Sequence, residues 1–202
     1  MNISKEIRKK IRGFRRGKPF RSTDFLELGT RAAVDQALWR LVKAGKIKRI
    51  KRGVFVKPER NAYVGELLPG AEEVAEFLAR QSGHEIQVSG ADAARRFGFT
   101  TQVSSRPVFL TDGPSRRWWL GNLEVHLKHV PKRKVALAGR PAGEALSALW
   151  YLGRDEVTPE IFEQIEERLP AEEFAVLTNR KDVMPGWMHD ALGAYQRERR
   201  VA

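Results

Sequence analysis

The chain has 202 residues, 42% of them hydrophobic, no cysteine and a formal net charge of +12. This composition suits a folded protein of one large domain, or of one small and one medium domain, and it excludes disulfides and thiolate chemistry. No apolar stretch approaches the roughly eighteen residues of a membrane span, and the N-terminus lacks the apolar core of a signal peptide. We therefore expect a cytoplasmic protein without membrane contacts.

The excess positive charge lies in the first third of the chain. Residues 1–60 contain 19 Lys/Arg and 5 Asp/Glu, whereas residues 61–202 contain 18 Lys/Arg and 20 Asp/Glu. Such a concentration of cations is typical of a protein that binds a polyanion, because phosphate contacts release condensed counterions. A ribosome-associated or membrane-surface segment, or a merely solvated basic face, would carry the same charge.

Two helices are predicted before residue 30. Apolar residues recur at helical spacing over residues 3–14, and Gly17-Lys18-Pro19 should end that helix. Ser22 or Thr23 can cap a short second helix, because the free N–H groups of a first turn need an acceptor. Gly29 can end this second helix in a left-handed conformation.

A third helix and a basic hairpin follow. Thr30 is the predicted cap of a helix from Arg31 to about Ala44, whose apolar residues again recur at helical spacing. Two short strands, residues 47–50 and 54–56, flank the turn Lys51-Arg52-Gly53. The order of helix, short helix, turn, helix and hairpin is that of a winged helix-turn-helix.

The rest of the chain mixes helices and strands. Residues 61–70 contain Gly65, Pro69 and Gly70 and are interpreted as a connection. Helices are predicted over residues 71–80, 91–97, 142–152, 159–168, 171–177 and 187–197, and strands over residues 85–88, 107–111, 115–120 and 123–130. The predicted fold class is α+β, with an N-terminal winged helix-turn-helix domain of residues 1–60 and a mixed α/β C-terminal domain of residues 71–202.

The third helix and the hairpin supply the predicted contacts with duplex DNA. The major groove admits one α-helix, where Arg pairs with guanine and Gln with adenine, so Arg31 and Gln36 are the best candidates for base reading. Arg40 lies further from the helix start and is expected to meet phosphate. The hairpin would lie along the backbone or the minor groove, although an edge protected by lysines would look similar. The candidate DNA-binding residues are Ser22, Thr30, Arg31, Asp35, Gln36, Arg40, Lys46, Lys48, Arg49, Lys51 and Arg52.

Three tryptophans have more than one interpretation. Trp39 is expected to pack under the wing or against the second domain, with stacking on nucleic acid as the alternative. Trp118 and Trp119 are adjacent in a predicted strand, so one should be buried and the other exposed. The exposed one would mark a partner surface.

The second domain also contains charged clusters. The basic one fits either a solvated face or a contact with DNA or RNA, and it comprises Arg116, Arg117, Lys128, Lys132, Arg133, Lys134 and Arg140. Acidic residues around Glu163 share a helix face, which is expected to be solvated or to contact a partner.

We identify no catalytic set, metal site or cofactor motif. His126 and His129 are three apart in a predicted strand and point to opposite faces. A common nuclease pattern is an acidic residue followed by Glu-x-Lys on one strand, and the nearest match here is Asp112, Glu124 and Lys128. The match is incomplete, because Glu124 and Lys128 are four residues apart rather than two. We expect a non-enzyme without metal or cofactor, and a DNA-processing enzyme with an unrecognised site is the alternative.

The segment from Phe20 to Pro58 resembles the N-terminal region of AbiEi-family antitoxins. The resembling residues are 20–25 (FRSTDF), 37–47 (ALWRLVKAGKI) and 49–55 (RIKRGVF). Two later segments are also similar to short members of that family: residues 89–98 (SGADAARRFG) and 109–113 (FLTDG).

The resemblance implies a role in a type IV toxin–antitoxin or abortive-infection system. The antitoxin would repress its own operon through the winged helix, and its C-terminal domain would oppose a nucleotidyltransferase-like toxin. A stand-alone transcriptional regulator, whose second domain senses a ligand or dimerises, is the alternative within DNA-binding proteins.

Overall fold

The computed structural model describes residues 3–61, 63 and 65–201, and it shows an α+β fold. The chain divides into two compact units, of which the first comprises residues 1–77 and 118–124 and the second the remainder. The units do not coincide with the predicted segments, because residues 61–77 and 118–124 group with the basic N-terminal residues. Within the described part of the chain, no helix is both long and apolar enough to cross a membrane.

Three helical segments build the first unit, close to the predicted positions. They are α1 (Ile3–Arg12), a 3-10 helix (Ser22–Leu28) and α2 (Arg31–Lys43). Each places an apolar face inward, since residues three and four apart lie on one side of a helix. The buried cluster that they share is Ile7, Ile11, Phe20, Phe25, Val34, Ala37, Leu38, Leu41, Ile47 and Phe55.

The start of the 3-10 helix differs from the prediction. The residue that flanks it is Arg21, rather than Ser22 or Thr23. The Arg21 N–H donates to the Asp24 carboxylate over 2.8 Å, so the side chain that caps this turn belongs to Asp24. Gly29 does follow the helix, but its φ of 166° is extended rather than left-handed.

A three-stranded antiparallel sheet completes this arrangement. Strands β2 (Lys48–Lys51) and β3 (Val54–Val56) form the predicted hairpin, and Gly53 adopts the positive φ of 75° that its turn requires. An additional strand, β1 (Pro19–Arg21), pairs with the other edge of β3, which gives the order β1-β3-β2. Strand β3 is therefore the central strand of this sheet, and all three of its residues are buried.

The predicted connection contains a short antiparallel ribbon. Strand β4 (Glu59–Asn61) pairs with β5 (Gly65–Leu67). All of β5 is exposed. Strand β5 has no buried face and so no alternation of apolar and polar residues, and this explains why periodicity did not reveal it.

The remaining elements lie mostly in the second unit. The helices are α3 (Ala71–Ser82), α4 (Gly90–Arg96), α5 (Pro141–Leu152), α6 (Pro159–Arg168), α7 (Ala171–Asn179) and α8 (Gly186–Val201). The strands β6 (Ile86–Val88), β7 (Val108–Thr111), β8 (Arg116–Leu120) and β9 (Leu123–His129) form one sheet in the order β6-β7-β9-β8. Short 3-10 turns, Lys132–Val135 and Lys181–Val183, were not predicted.

Two glycines allow close packing around α5. A Cβ on Gly143 would lie 2.0 Å from the Leu137 carbonyl oxygen, and a Cβ on Gly90 would lie 2.8 Å from the Ser147 carbonyl oxygen. Both neighbours are backbone atoms, which cannot move as freely as the end of a side chain. These positions therefore require glycine because of space, independently of backbone conformation.

A buried tyrosine joins α6 to α8. The Tyr195 hydroxyl donates a hydrogen bond to the Glu166 carboxylate, and its ring packs on Phe162 and Phe174. Burial, together with the adjacent carboxylate, raises the pKa of Tyr195 to about 12. The neutral hydroxyl is thus the form that the folded protein stabilises.

Candidate nucleic-acid interface

The outer face of α2 contains the predicted base-reading residues. Thr30 caps the helix, since its hydroxyl accepts the Ala33 N–H over 3.4 Å. Arg31 forms an ion pair with Asp35, whose carboxylate lies 3.0 Å from the Arg31 Nε. Gln36 is exposed and makes no side-chain hydrogen bond within the described residues. Of the two predicted base-reading residues, Arg31 is therefore ion-paired and Gln36 is not.

The first turn of α2 has no acidic residue, and its last turn contains Arg40 and Lys43. The positive end of the helix dipole is consequently not neutralised by a carboxylate within that turn. Free N–H groups and a positive dipole end favour a phosphate at this position. Arg40 is exposed and unpaired in the part of the chain that the structure describes, as a phosphate contact requires.

The hairpin brings the predicted wing cations together, but they differ in their ion pairs and hydrogen bonds. Lys48 forms an ion pair with Glu66 of strand β5, at 2.8 Å. The Arg49 Nε donates to the Lys51 carbonyl oxygen over 3.4 Å. Lys46 and Arg52 are exposed, and neither has an ionic partner among residues 3–61, 63 and 65–201. Lys46 and Arg52 are therefore the wing cations most available to a phosphate.

Ser22 is not available at the surface. Its exposure is 1%, and its N–H donates to the Gly53 carbonyl oxygen over 3.0 Å. Ser22 therefore fastens the 3-10 helix to the hairpin turn. We correct its placement among the DNA-contacting residues, because a side chain buried against the turn cannot reach a phosphate.

Trp39 is exposed, contrary to the expectation that it packs. Its exposure is 58%, and Lys43 lies over its ring with Nζ 5.6 Å from the ring centre. The buried stripe of α2 passes through Leu38 and Leu41, and the core beneath it is filled by phenylalanine rings, including Phe20 and Phe25. Trp39 is thus an exposed aromatic ring with one lysine beside it, and its stacking on nucleic acid stays a prediction.

The adjacent tryptophans behave as predicted. Trp118 is 6% exposed, whereas Trp119 is 60% exposed. Alternation of side chains along β8 explains the difference.

Part of the second basic cluster is held by aromatic and acidic partners. Lys134 Nζ and Arg133 Cζ lie 4.2 and 5.0 Å from the centre of the Trp150 ring. Burial, followed by the charges of Arg133 and Lys128, lowers the pKa of Lys134. Arg140 binds the Glu173 carboxylate at 2.7 Å and is thereby removed from the cluster.

Asp112, considered above for nuclease chemistry, and His129, considered for metal binding, make other contacts. Asp112 Oδ1 accepts the Glu85 N–H over 2.9 Å and lies 3.5 Å from His84 Nδ1. His129 Nδ1 lies 2.9 Å from the Gly113 carbonyl oxygen. In the described residues, no three His, Asp or Glu side chains are grouped so that they could hold a metal ion.

A basic cavity in the first unit was not predicted. It has a volume of about 500 Å³ and is lined by Arg8, Ile11, Arg12, Arg16, Leu41, Ala44, Gly45, Lys46, Lys57 and Pro58. The spacing of Arg8 and Arg12 places both on one side of α1, and this was the available sequence signal. Their meeting with Lys46 and Lys57 depends on the tertiary structure.

These features define an α+β protein whose first compact unit carries most of the net positive charge and presents an exposed polar helix face. The chain belongs to DUF6088, a family of unknown function, whose family model matches residues 6–176. The match includes residues from both compact units. A comparison with curated proteins found no match.

Proposed function

We propose that the protein is a cytoplasmic DNA-binding antitoxin that represses its own operon through a winged helix-turn-helix in residues 1–60. The observation that carries this proposal is the exposed face of α2 with an adjacent basic hairpin. Gln36 and Arg40 face solvent on the helix, and Arg52 does so on the hairpin turn. Polar side chains of this kind can read bases, while the cations bind phosphates.

The arrangement of elements supports the winged-helix part of the proposal. Helix α1, the 3-10 helix and α2 share one core, and the hairpin of β2 and β3 follows α2, while β1, which precedes the 3-10 helix, pairs with β3. In this scheme α2 is the recognition helix and the β2–β3 hairpin is the wing. The helix N-terminus, which lacks an acidic residue, would approach the DNA backbone.

Charge supports a polyanionic ligand. Several cations of the first unit have no ionic or hydrogen-bonding side-chain partner among the residues that the structure describes: Arg8, Lys9, Arg12, Arg15, Arg16, Arg40, Lys46 and Arg52. Cations without acidic partners keep their full attraction for phosphate. About six phosphate contacts would give a plot of log K against log salt concentration a slope of about −5.

The DNA-binding part is tested with the full-length protein. We expect it to bind duplex DNA from the promoter of its own operon more tightly than a scrambled duplex of equal length, with the salt dependence given above. Fluorescence anisotropy at several salt concentrations measures both quantities. A slope near zero, or equal affinity for both duplexes, would count against a sequence-specific winged helix.

The antitoxin part rests on the resemblance of residues 20–58, 89–98 and 109–113 to AbiEi-family antitoxins. We propose that the residues beyond the DNA-binding module oppose a nucleotidyltransferase-like toxin encoded by a neighbouring gene. Suppression in a type IV system does not require a stable complex, so growth is a better measure than co-purification.

Co-expression of the toxin with variants of the full chain separates the two activities. Arg31→Ala combined with Arg52→Ala should abolish repression of the operon but still restore growth. If these substitutions abolished both activities, suppression would depend on DNA binding. If no toxin gene were adjacent, the stand-alone regulator would replace the antitoxin as the proposed function.

A further inference from the structure

The cavity of the first unit is a recess with positively charged side chains and an apolar floor. Its volume of about 500 Å³ lies within the range of roughly 300–1,000 Å³ typical of small-molecule sites. The cavity is enclosed by the second half of α1, the C-terminal end of α2 and the segment that follows β3.

All five charged residues that line the cavity are cationic: Arg8, Arg12, Arg16, Lys46 and Lys57. Within the described residues, the first four have no side-chain hydrogen bond or ion pair. Side chains of one charge in a concave site concentrate the electric field and raise the local concentration of anions. Bound anions would also relieve the repulsion between these cations.

Lys57 has a defined orientation. Its Nζ donates to the Arg12 and Phe14 carbonyl oxygens over 2.8 and 3.2 Å, which fastens the end of α1. An ammonium group has three donors, so one remains for a ligand. The site therefore includes at least one cation whose position is set by the protein.

The floor of the cavity is apolar. Ile11 and Leu41 are 6% and 7% exposed, and Pro58 is also buried. A phosphate group alone gains nothing from such a floor, whereas an attached organic ring would bury apolar surface there. The three guanidinium groups can in addition stack on a planar ring.

The cavity is remote from the proposed base-reading end of α2. Ala44 and Gly45 line it, and Arg31 begins the helix. At 1.5 Å per residue, about 20 Å of helix separates Arg31 from Ala44. The cations of the cavity are thus available to a ligand other than the bases that α2 would contact.

We propose that this cavity binds a small organic phosphate of nucleotide size. The phosphates lie among Arg8, Arg12, Arg16 and Lys46, and the ring lies on the floor formed by Ile11, Leu41 and Pro58. The four cations are also counted above among those that would attract DNA phosphate, but this proposal concerns a recess that one small ligand fills, so the two proposals are tested separately.

Isothermal titration calorimetry of the full-length protein tests the proposal, with ATP, AMP, adenosine and inorganic phosphate as probes. We expect ATP to bind at least about tenfold more tightly than adenosine, because charge-assisted hydrogen bonds are lost with the phosphates. AMP should bind more tightly than inorganic phosphate, since only AMP has a ring for the floor. Equal binding of AMP and inorganic phosphate would overturn the organic part of the proposal.

Matched variants locate the site. Arg12→Ala and Arg16→Ala should each weaken ATP binding about tenfold or more. The controls Lys9→Ala and Arg15→Ala remove exposed cations that do not line the cavity, so they should leave ATP binding nearly unchanged. Ala44→Phe should abolish binding by filling the cavity without altering charge. Circular dichroism checks that each variant is folded.

Two results would overturn the assignment. If all four cation variants weakened ATP binding equally, the effect would be general electrostatic attraction. If a saturating duplex abolished ATP binding, the same cations would belong to the DNA surface.

Discussion

The ion pair between Arg31 and Asp35 raises the question of whether Arg31 can read a base. The pair is exposed, with side-chain exposures of 55% and 51%, and it joins residues four apart on α2. An exposed pair of this spacing contributes only about 0.3–0.5 kcal/mol. A bidentate contact between arginine and guanine contributes about 1–3 kcal/mol of discrimination. The pair therefore offsets only a small part of the contact, and Arg31 is free to exchange one partner for the other.

We predict that Arg31→Ala loses about 0.5–2.5 kcal/mol of discrimination between the preferred duplex and a random one, or roughly two- to seventyfold. Asp35→Ala should instead raise the affinity for DNA. It leaves Arg31 unpaired and removes a negative charge from the face that approaches the phosphates, so both duplexes should bind more tightly. Arg40→Ala, at a predicted phosphate contact, should weaken binding to both duplexes alike.

The assay is fluorescence anisotropy at one fixed salt concentration. The preferred duplex is first selected from a random pool by the full-length protein. Equal weakening on both duplexes by Arg31→Ala would show that Arg31 binds phosphate rather than a base. Weaker binding by Asp35→Ala would show that the carboxylate itself contacts DNA or orients Arg31, and would refute the reasoning from a weak competing pair.

Three further predictions concern the wing, the packing of α5 and the buried tyrosine. Arg52→Ala should weaken DNA binding more than Lys48→Ala, because Lys48 is already ion-paired with Glu66. Fluorescence anisotropy compares the two variants. Equal effects would show that the ion pair between Lys48 and Glu66 opens readily on DNA. Gly143→Ala should destabilise the protein by about 2 kcal/mol or more in urea unfolding, because the added Cβ would overlap backbone atoms. Gly186→Ala should not destabilise it, because a Cβ at that position would meet nothing within 4 Å. The raised pKa of Tyr195 stabilises the fold below the ordinary pKa of 10, and this stability is lost as the pH rises from 10 to about 12. Tyr195→Phe should therefore lose less stability than the natural protein between about pH 9 and 11.5, and an equal loss would contradict the raised pKa of Tyr195.

Sequence patterns predicted most of the helices well. The helix α6 has the predicted bounds, and α2 begins at Arg31 as predicted. Local physics decides such elements, because an apolar stripe, a capping residue and a terminating glycine or proline all lie within one segment. The basic hairpin was predictable for the same reason, since both strands and their turn are contiguous.

The strands without such local signals depended on the whole structure. Strand β1 has three residues and pairs with β3, more than thirty residues away along the chain. Strands β4 and β5 have no apolar alternation, so only their mutual hydrogen bonds reveal them. Pairing between distant or polar segments leaves little trace in a single sequence.

The sequence by itself determined which residues are cationic, which helix faces are apolar and where the positive charge is concentrated. Only the tertiary structure decided which of these side chains are free. It buried Ser22 against Gly53, exposed Trp39, and paired Lys48 with Glu66. It also brought Arg12 and Lys46 to one cavity, although they are distant in sequence. The physical reason is that exposure and ion pairing are properties of neighbours in space, and most of those neighbours come from other segments of the chain.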